Sequence, residues 1–201
     1  MKDENINNLL NEALSLHHKG NLQKADEIYQ LILDKDSNNF LANHLHGCIL
    51  SQRHDYSTAL IYLKKAVEID STNYEANNNL GITYKNLKDF KKSEIYFKHA
   101  IAINSNEYKA YFNCANLYID YDYYSDAIDM LKKTISCNDN FPEADHRMGE
   151  TYQYIFQTKR ESKNLNHSIE WFNSAICKDA NFIDSHLMLG MSYLWLGDVK
   201  S

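Results

Sequence analysis

The chain has 201 residues, 44% of them hydrophobic and 24% charged, the composition of an ordinary soluble protein with material for one large domain or two small ones. It contains no run of about 18 apolar residues that could span a membrane, and a formal net charge of −6 speaks against nucleic acid, which selects a basic face. Neither membrane nor nucleic acid is an expected partner. The polar start Met1-Lys2-Asp3-Glu4-Asn5 lacks the basic and apolar regions of a secretory leader, so a cytoplasmic setting is expected. Cys48, Cys114, Cys137 and Cys177 form no CxxC pair and no zinc spacing. They lie in helical segments among apolar neighbours and read as small hydrophobes in a reduced compartment.

Taken in chain order, one unit of 34 residues returns at 6–39, 40–73, 74–107 and 108–141, then in longer form at 142–182 and in part at 183–201. Leu80-Gly81-Ile82-Thr83-Tyr84 recurs as Cys114-Ala115-Asn116-Leu117-Tyr118, as Met148-Gly149-Glu150-Thr151-Tyr152 and as Leu189-Gly190-Met191-Ser192-Tyr193. The second half of the unit repeats as Ala25 with Tyr29, Ala59 with Leu63, Ser93 with Phe97, Ala127 with Leu131 and Ser168 with Phe172. Apolar residues at helical spacing predict two helices per unit, for example about 74–87 and 90–103. The small columns let the two backbones approach, and the tyrosines and phenylalanines fill the space beside them. A single pair cannot bury both of its apolar faces, so stability is expected from stacking on the next pair.

The turns are also readable. Lys19-Gly20-Asn21, His54-Asp55, Lys88-Asp89 and Asp122-Tyr123 separate the helices of a pair. Asn21, Asp55 and Asp89 suit the task of accepting the free N–H groups at the start of the second helix. Between units stand Ser37, Ser71, Ser105, Asp139 and Ala180, with Asn38-Asn39, Thr72-Asn73 and Asn106 beside the first three to stop one helix and cap the next. Thr72 with Glu75 fits a capping box.

The fifth unit carries seven extra residues within 154–166. Seven is nearly two helical turns, so both helices are expected to lengthen by about one turn, with Lys159, Arg160 and Lys163 as a basic knob. In the sixth unit a single helix is expected from roughly 184 to 196, stopping at Gly197-Asp198. Its apolar residues cannot all face the fifth unit. Either the chain is a piece of a longer protein, or it pairs as a homodimer through this edge.

The recurring small, apolar and aromatic positions resemble the tetratricopeptide repeat (TPR), and the resemblance runs along five units and a partial sixth. It implies an all-α fold, an α-α solenoid in which antiparallel helix pairs form a right-handed superhelix. Two departures stand out: the proline that usually closes a unit is absent, and the large aromatic that often begins the first helix is replaced by Leu9, Asn43, Asn77, Asp145 and His186, with only Tyr111 similar.

The resemblance also implies a function. First helices of such proteins line a concave groove that holds extended peptides, and the corresponding residues here are Asn11, His44, Asn78, Asn79, Ile82, Asn86, Lys109, Phe112, Asn113, Asn116, His146, Arg147 and Glu150. Asn11, Asn79 and Asn113 share one column, which is similar to the asparagine ladder of O-linked N-acetylglucosamine transferases. An amide offers a peptide group both donor and acceptor. Each Asn within a helix costs roughly 0.6 kcal/mol relative to Ala, and replacing Asn79 and Asn113 by Ala is expected to leave folding nearly unchanged. The basic set that grips acidic chaperone tails in some relatives is absent, its positions in the first three units being held by Leu10, Leu14, Leu45, Glu75 and Asn79. His17-His18 and His44 with His46 are spaced for different helix faces rather than for a metal. No cofactor, no metal and no catalytic constellation is expected. The function implied is a non-catalytic protein- or peptide-binding scaffold. The alternative is a substrate-recruiting or oligomerisation module of a larger enzyme, since Leu22–Gln30 through His46-Gly47 resembles segments that precede glycosyltransferase or sulfotransferase domains.

Overall fold

The structure, a computed structural model, describes residues 2–200, with side chains over 5–197. Eleven helices and no strand occur among the described residues. They fall into two compact units that divide between Asn104 and Ser105. The first holds α1 (Lys2–His18), α2 (Leu22–Lys35), α3 (Phe40–Gln52), α4 (Tyr56–Ile69), α5 (Tyr74–Asn86) and α6 (Phe90–Ile103). The second holds α7 (Tyr108–Asp120), α8 (Tyr124–Cys137), α9 (Pro142–Lys159), α10 (Ser162–Lys178) and α11 (Ile183–Lys200). Within each unit successive helices pack on one another as hairpins, so both are of the all-α solenoid class. None of the helices is long and apolar enough to cross a membrane.

Helix contact explains the small column. A Cβ on Gly47 would lie 2.7 Å from the Leu63 side chain, one on Gly81 2.7 Å from Phe97, and one on Gly149 2.6 Å from Phe172. Each second helix thus sets one large apolar residue against a bare stretch of its own first helix, and Leu63, Phe97 and Phe172 are fully buried there. The residue one turn earlier is small for the same reason. In α6, Ser93 Oγ also donates to the Gly81 carbonyl at 2.9 Å.

Asn21, Asp55 and Asp89 cap α2, α4 and α6, each side chain accepting from the backbone N–H three residues on. Just before each cap lies a left-handed residue: Gly20 (φ 75°), His54 (63°) and Lys88 (59°), with Asp122 (63°) and Arg160 (55°) at the matching turns of the second unit. Only one of the five is the residue that adopts this conformation without strain.

The turns between repeats depart from the sequence reading. Asn73, not Thr72, caps α5, accepting from the Ala76 N–H at 2.9 Å. Thr72 instead bonds Asp70 through both its N–H and its hydroxyl, so the Thr72–Glu75 capping box does not form. Ahead of α7 the cap position is Glu107, whose side chain makes no capping bond; Asn106 does not hold it. The missing proline and the missing aromatic prove to be one arrangement. Asn43 Nδ2 donates to the carbonyls of Ser37 (3.0 Å) and Asn39 (2.8 Å). Asn77 does the same to Ser71 (3.0 Å) and Asn73 (2.8 Å), and His186 Nε2 reaches the Ala180 carbonyl at 3.0 Å. A turn carbonyl outside any helix needs a donor, and the side chain six residues on supplies it. Where Tyr111 holds the column, the Ser105 carbonyl faces the Cys137 thiol at 3.7 Å.

Buried carboxylates tie further pairs. Asp26 of α2 accepts from His46 Nδ1 (2.5 Å) and Arg53 (2.6 Å), and Asp145 of α9 pairs with Lys178 (2.5 Å) and Ser174 (3.0 Å) of α10. The four cysteines are free thiols. Only Cys114 is fully buried, whereas Cys137 and Cys177 are exposed, so they are not the core hydrophobes that their neighbours in sequence suggest.

The extra residues of the fifth repeat are helical. α9 has 18 residues and α10 has 17, against 13 and 14 in α5 and α6. Of the three basic residues here, Lys163 pairs with Glu161 at 3.0 Å and Arg160 lies 5.6 Å from the Phe156 ring centre. α11 does not stop at Gly197 but runs to Lys200. A lone Gly costs a helix about 1 kcal/mol, too little to break one anchored along its length. Its anchors are polar and aromatic: Ser185 bonds His146 at 2.9 Å, Ser192 bonds Gln153 at 2.8 Å and Ser168 at 2.9 Å, and Trp195 stacks on Phe156 with ring centres 6.1 Å apart. Ile183, Leu187, Met191 and Leu194, at spacings of 4, 4 and 3, form an exposed stripe on the other side.

Candidate binding faces of the first helices

In the first unit the residues singled out from sequence gather on α3 and α5. Asn79 of α5 reaches across to α3, where its Nδ2 donates to His44 Nε2 at 2.9 Å and to Cys48 Sγ at 3.2 Å. The imidazole therefore accepts at Nε2 and carries its proton at Nδ1. Burial holds the His44 pKa below the usual imidazole value, opposed in part by the charge of Glu75, which keeps this acceptor available near neutral pH. Desolvation pushes the Cys48 thiol up to about 12, against the hydrogen bond from Asn79, so it is a neutral thiol and not a nucleophile. Asn79 is thus an interhelix tie, and the small cost expected of the Asn79 and Asn113 replacements has to be set against the loss of these bonds.

Beside this tie lies a cleft of about 230 Å3 lined by Cys48, Ser51, Gln52, Leu63, Asn79 and Ile82. Its floor is apolar and its rim carries neutral amides and a hydroxyl, with no charged group. Asn86 is exposed and spends its Nδ2 on the Ile82 carbonyl at 3.0 Å. Asn78 and His44 are buried, and Asn11 is exposed on α1. Sequence reasoning missed Cys48, Ser51 and Gln52, although they stand one to two helical turns beyond His44 on α3.

In the second unit the matching column is held by Arg147 of α9. Its Nε donates to Asn116 Oδ1 of α7 at 2.7 Å, and its Nη1 to Glu150 at 2.7 Å. Burial alone would raise the Glu150 pKa, but the bond from His146 and the Arg147 charge outweigh it and hold the carboxyl below its usual value. His146 is buried against Phe172 and Phe182. Phe112 packs edge-on to Phe141, ring centres 5.0 Å apart. Asn113 is half-buried on α7, and Lys109 is exposed. Arg147 therefore repeats, with a cation, the reach of Asn79 over the preceding first helix.

Residues 41–73 and 74–107 match the family model of the tetratricopeptide repeat, and that 34-residue unit is the one that recurs along the sequence. These two consecutive repeats are tetratricopeptide repeats. Solved structures agree at the level of fold. PilW, a widely conserved type IV pilus biogenesis factor, superposes with a TM-score of 0.83 at 20% identity, over 97% of this chain and 87% of that one. MamA does so with 0.74 at 24% identity, over 89% and 93%. YrrB, a TPR protein with an unusual peptide-binding site, gives 0.69 at 20% identity, over 88% of each chain. No curated protein sequence matches. These repeats differ from the family pattern at their inter-repeat turns, where Asn43 and Asn77 tie down carbonyls beside positions usually held by proline.

Proposed function

We propose that this TPR protein is a non-catalytic scaffold that holds an extended segment of a protein partner against its first helices. The observation that carries the reading is the uncharged cleft between α3 and α5. Its apolar floor (Cys48, Leu63, Ile82) suits a small side chain, and its rim (Ser51, Gln52, Asn79) suits the alternating donors and acceptors of a peptide backbone. In the second unit Lys109, Phe112, Asn113, Asn116, Arg147 and Glu150 offer a more polar version in which Arg147 and Glu150 offset each other. His44, Asn78 and His146 support these faces from beneath, and Asn11 and Asn86 lie at their margin. The reading includes a cytoplasmic setting, where four free thiols stay reduced.

Peptides selected from a displayed random library on the purified protein test it. The selected peptides should share little sequence, and Ile82→Glu should weaken their binding by about 1–3 kcal/mol, the cost of placing an unpaired charge where an apolar contact was made. The thermal midpoint should move little, because Ile82 is partly exposed. Selected peptides that bind Ile82→Glu as tightly as wild type would place the binding surface elsewhere.

A further inference from the structure

A second cleft lies between α2 and α4 of the first unit, with a volume of about 630 Å3, the size of a small-molecule site. Its walls are apolar, with Leu33 from α2 and Leu60, Ile61 and Tyr62 from α4. The Tyr62 ring is set edge-on to His46, ring centres 4.4 Å apart, and His46 is itself held by Asp26. Deep in the cleft is Asn43, only 2% exposed. Its Nδ2 uses both hydrogens on the Ser37 and Asn39 carbonyls. Those two bonds fix which way the amide points, and they leave Oδ1 with no protein donor among the described residues. In the next repeat Asn77 makes the same two bonds, but there Oδ1 is sealed away without a partner. At Asn43 the same acceptor is oriented in advance and open to a guest. The mouth carries Asp34, Lys64, Lys65 and Glu68, which form no ion pair among the described residues.

We infer that this cleft binds a free aromatic amino acid whose ring carries a hydrogen-bond donor, an indole or a phenol. The apolar walls take the ring, and Asn43 Oδ1 accepts its N–H or O–H. Both signs of charge stand at the mouth: Asp34 and Glu68 for an ammonium, Lys64 and Lys65 for a carboxylate. This complementarity selects a free zwitterion over a segment of polypeptide, because a residue inside a chain has lost both charges to peptide bonds. The cleft is lined chiefly by second helices, so the inference does not rest on peptide binding by the first-helix faces.

The experiment is calorimetric titration of the full chain with L-tryptophan and, separately, L-tyrosine. Saturable binding of one or both is expected. Methylating the ring donor, at the indole nitrogen or the phenol oxygen, should weaken binding about tenfold, since a buried acceptor is then left unmet. Blocking both charges, as the N-acetyl amide, should weaken it about fivefold, a smaller loss because the groups at the mouth are mostly exposed. The donor is removed from the ligand because Asn43 also ties down the turn, and its replacement could unfold the chain. Ile61→Glu, at a position 66% exposed, should keep the thermal midpoint and weaken binding about tenfold by placing a charge in the apolar wall. No saturable binding, or equal binding of the methylated ring, overturns the assignment. Equal binding of the N-acetyl amide overturns it as well and gives the cleft to a side chain of a polypeptide. Binding unaffected by Ile61→Glu would put the amino acid elsewhere on the molecule and likewise overturn it.

Discussion

His44 shows how a residue that looks like a groove-lining side chain acts as a structural acceptor with a pH dependence. Its folded-state pKa lies below the model-peptide value of 6.5, chiefly through burial. The unfolded chain therefore binds the proton first as pH falls. The stability contributed is present above 6.5, is lost between 6.5 and the folded-state pKa, and changes no further below it. His17, also lowered by burial, adds in the same sense. The midpoint of thermal unfolding should accordingly fall from pH 7 to pH 5.5. His44→Gln keeps an acceptor for Asn79 without a titrating ring and should flatten that slope; an unchanged slope would remove His44 from the account. The left-handed turn residues make a second test at this scale. Lys88→Gly relieves backbone strain of about 1–2 kcal/mol, offset by the greater freedom of Gly in the unfolded chain. A net gain of about 0.5–1 kcal/mol is expected in a denaturant titration. Gly20→Ala, where no atom lies near the new Cβ, should lose about the same from strain alone.

Between helices the glycine column carries the argument. Gly81→Ala and Gly149→Ala place a Cβ 2.6 to 2.7 Å from Phe97 and Phe172, so a buried ring or a helix backbone must shift. Each should lose about 1–3 kcal/mol by overpacking, despite the better helix propensity of Ala. Gly190→Ala meets nothing and should instead gain up to about 1 kcal/mol. Equal effects at all three positions, measured by chemical unfolding, would contradict the packing described. The helix pairs themselves were legible in the sequence because the small and large columns recur at fixed spacing, and the caps Asn21, Asp55 and Asp89 because their chemistry is local. The Asn43 and Asn77 ties were not, since a side chain bonding a carbonyl six residues earlier leaves no periodic trace. The reach of Asn79 to His44 was hidden for another reason: it joins residues 35 apart, and only the stacking of one repeat on the next brings them together. For the same reason the cleft's Cys48, Ser51 and Gln52 went unread, being three small or polar residues whose meaning depends on the neighbouring helix.

For the molecule as a whole, repetition divides the labour between the two helices of each pair. Second helices spend large residues on their own first helix, and first helices are left to meet the next repeat and, in the function proposed above, a ligand. Stability is then close to a sum of repeat and neighbour terms, so a binding face can vary along the chain without changing the fold. The uncharged cleft of the first unit and the Arg147–Glu150 pair of the second are such variations on one column. The most direct test of this division is hydrogen exchange on the full chain, with and without a peptide selected on it. Added peptide should protect amides of α3 and α5, or of α7 and α9, and leave α4, α6, α8 and α10 unchanged. Protection confined to those second helices would contradict the assignment of the first-helix face as the binding surface.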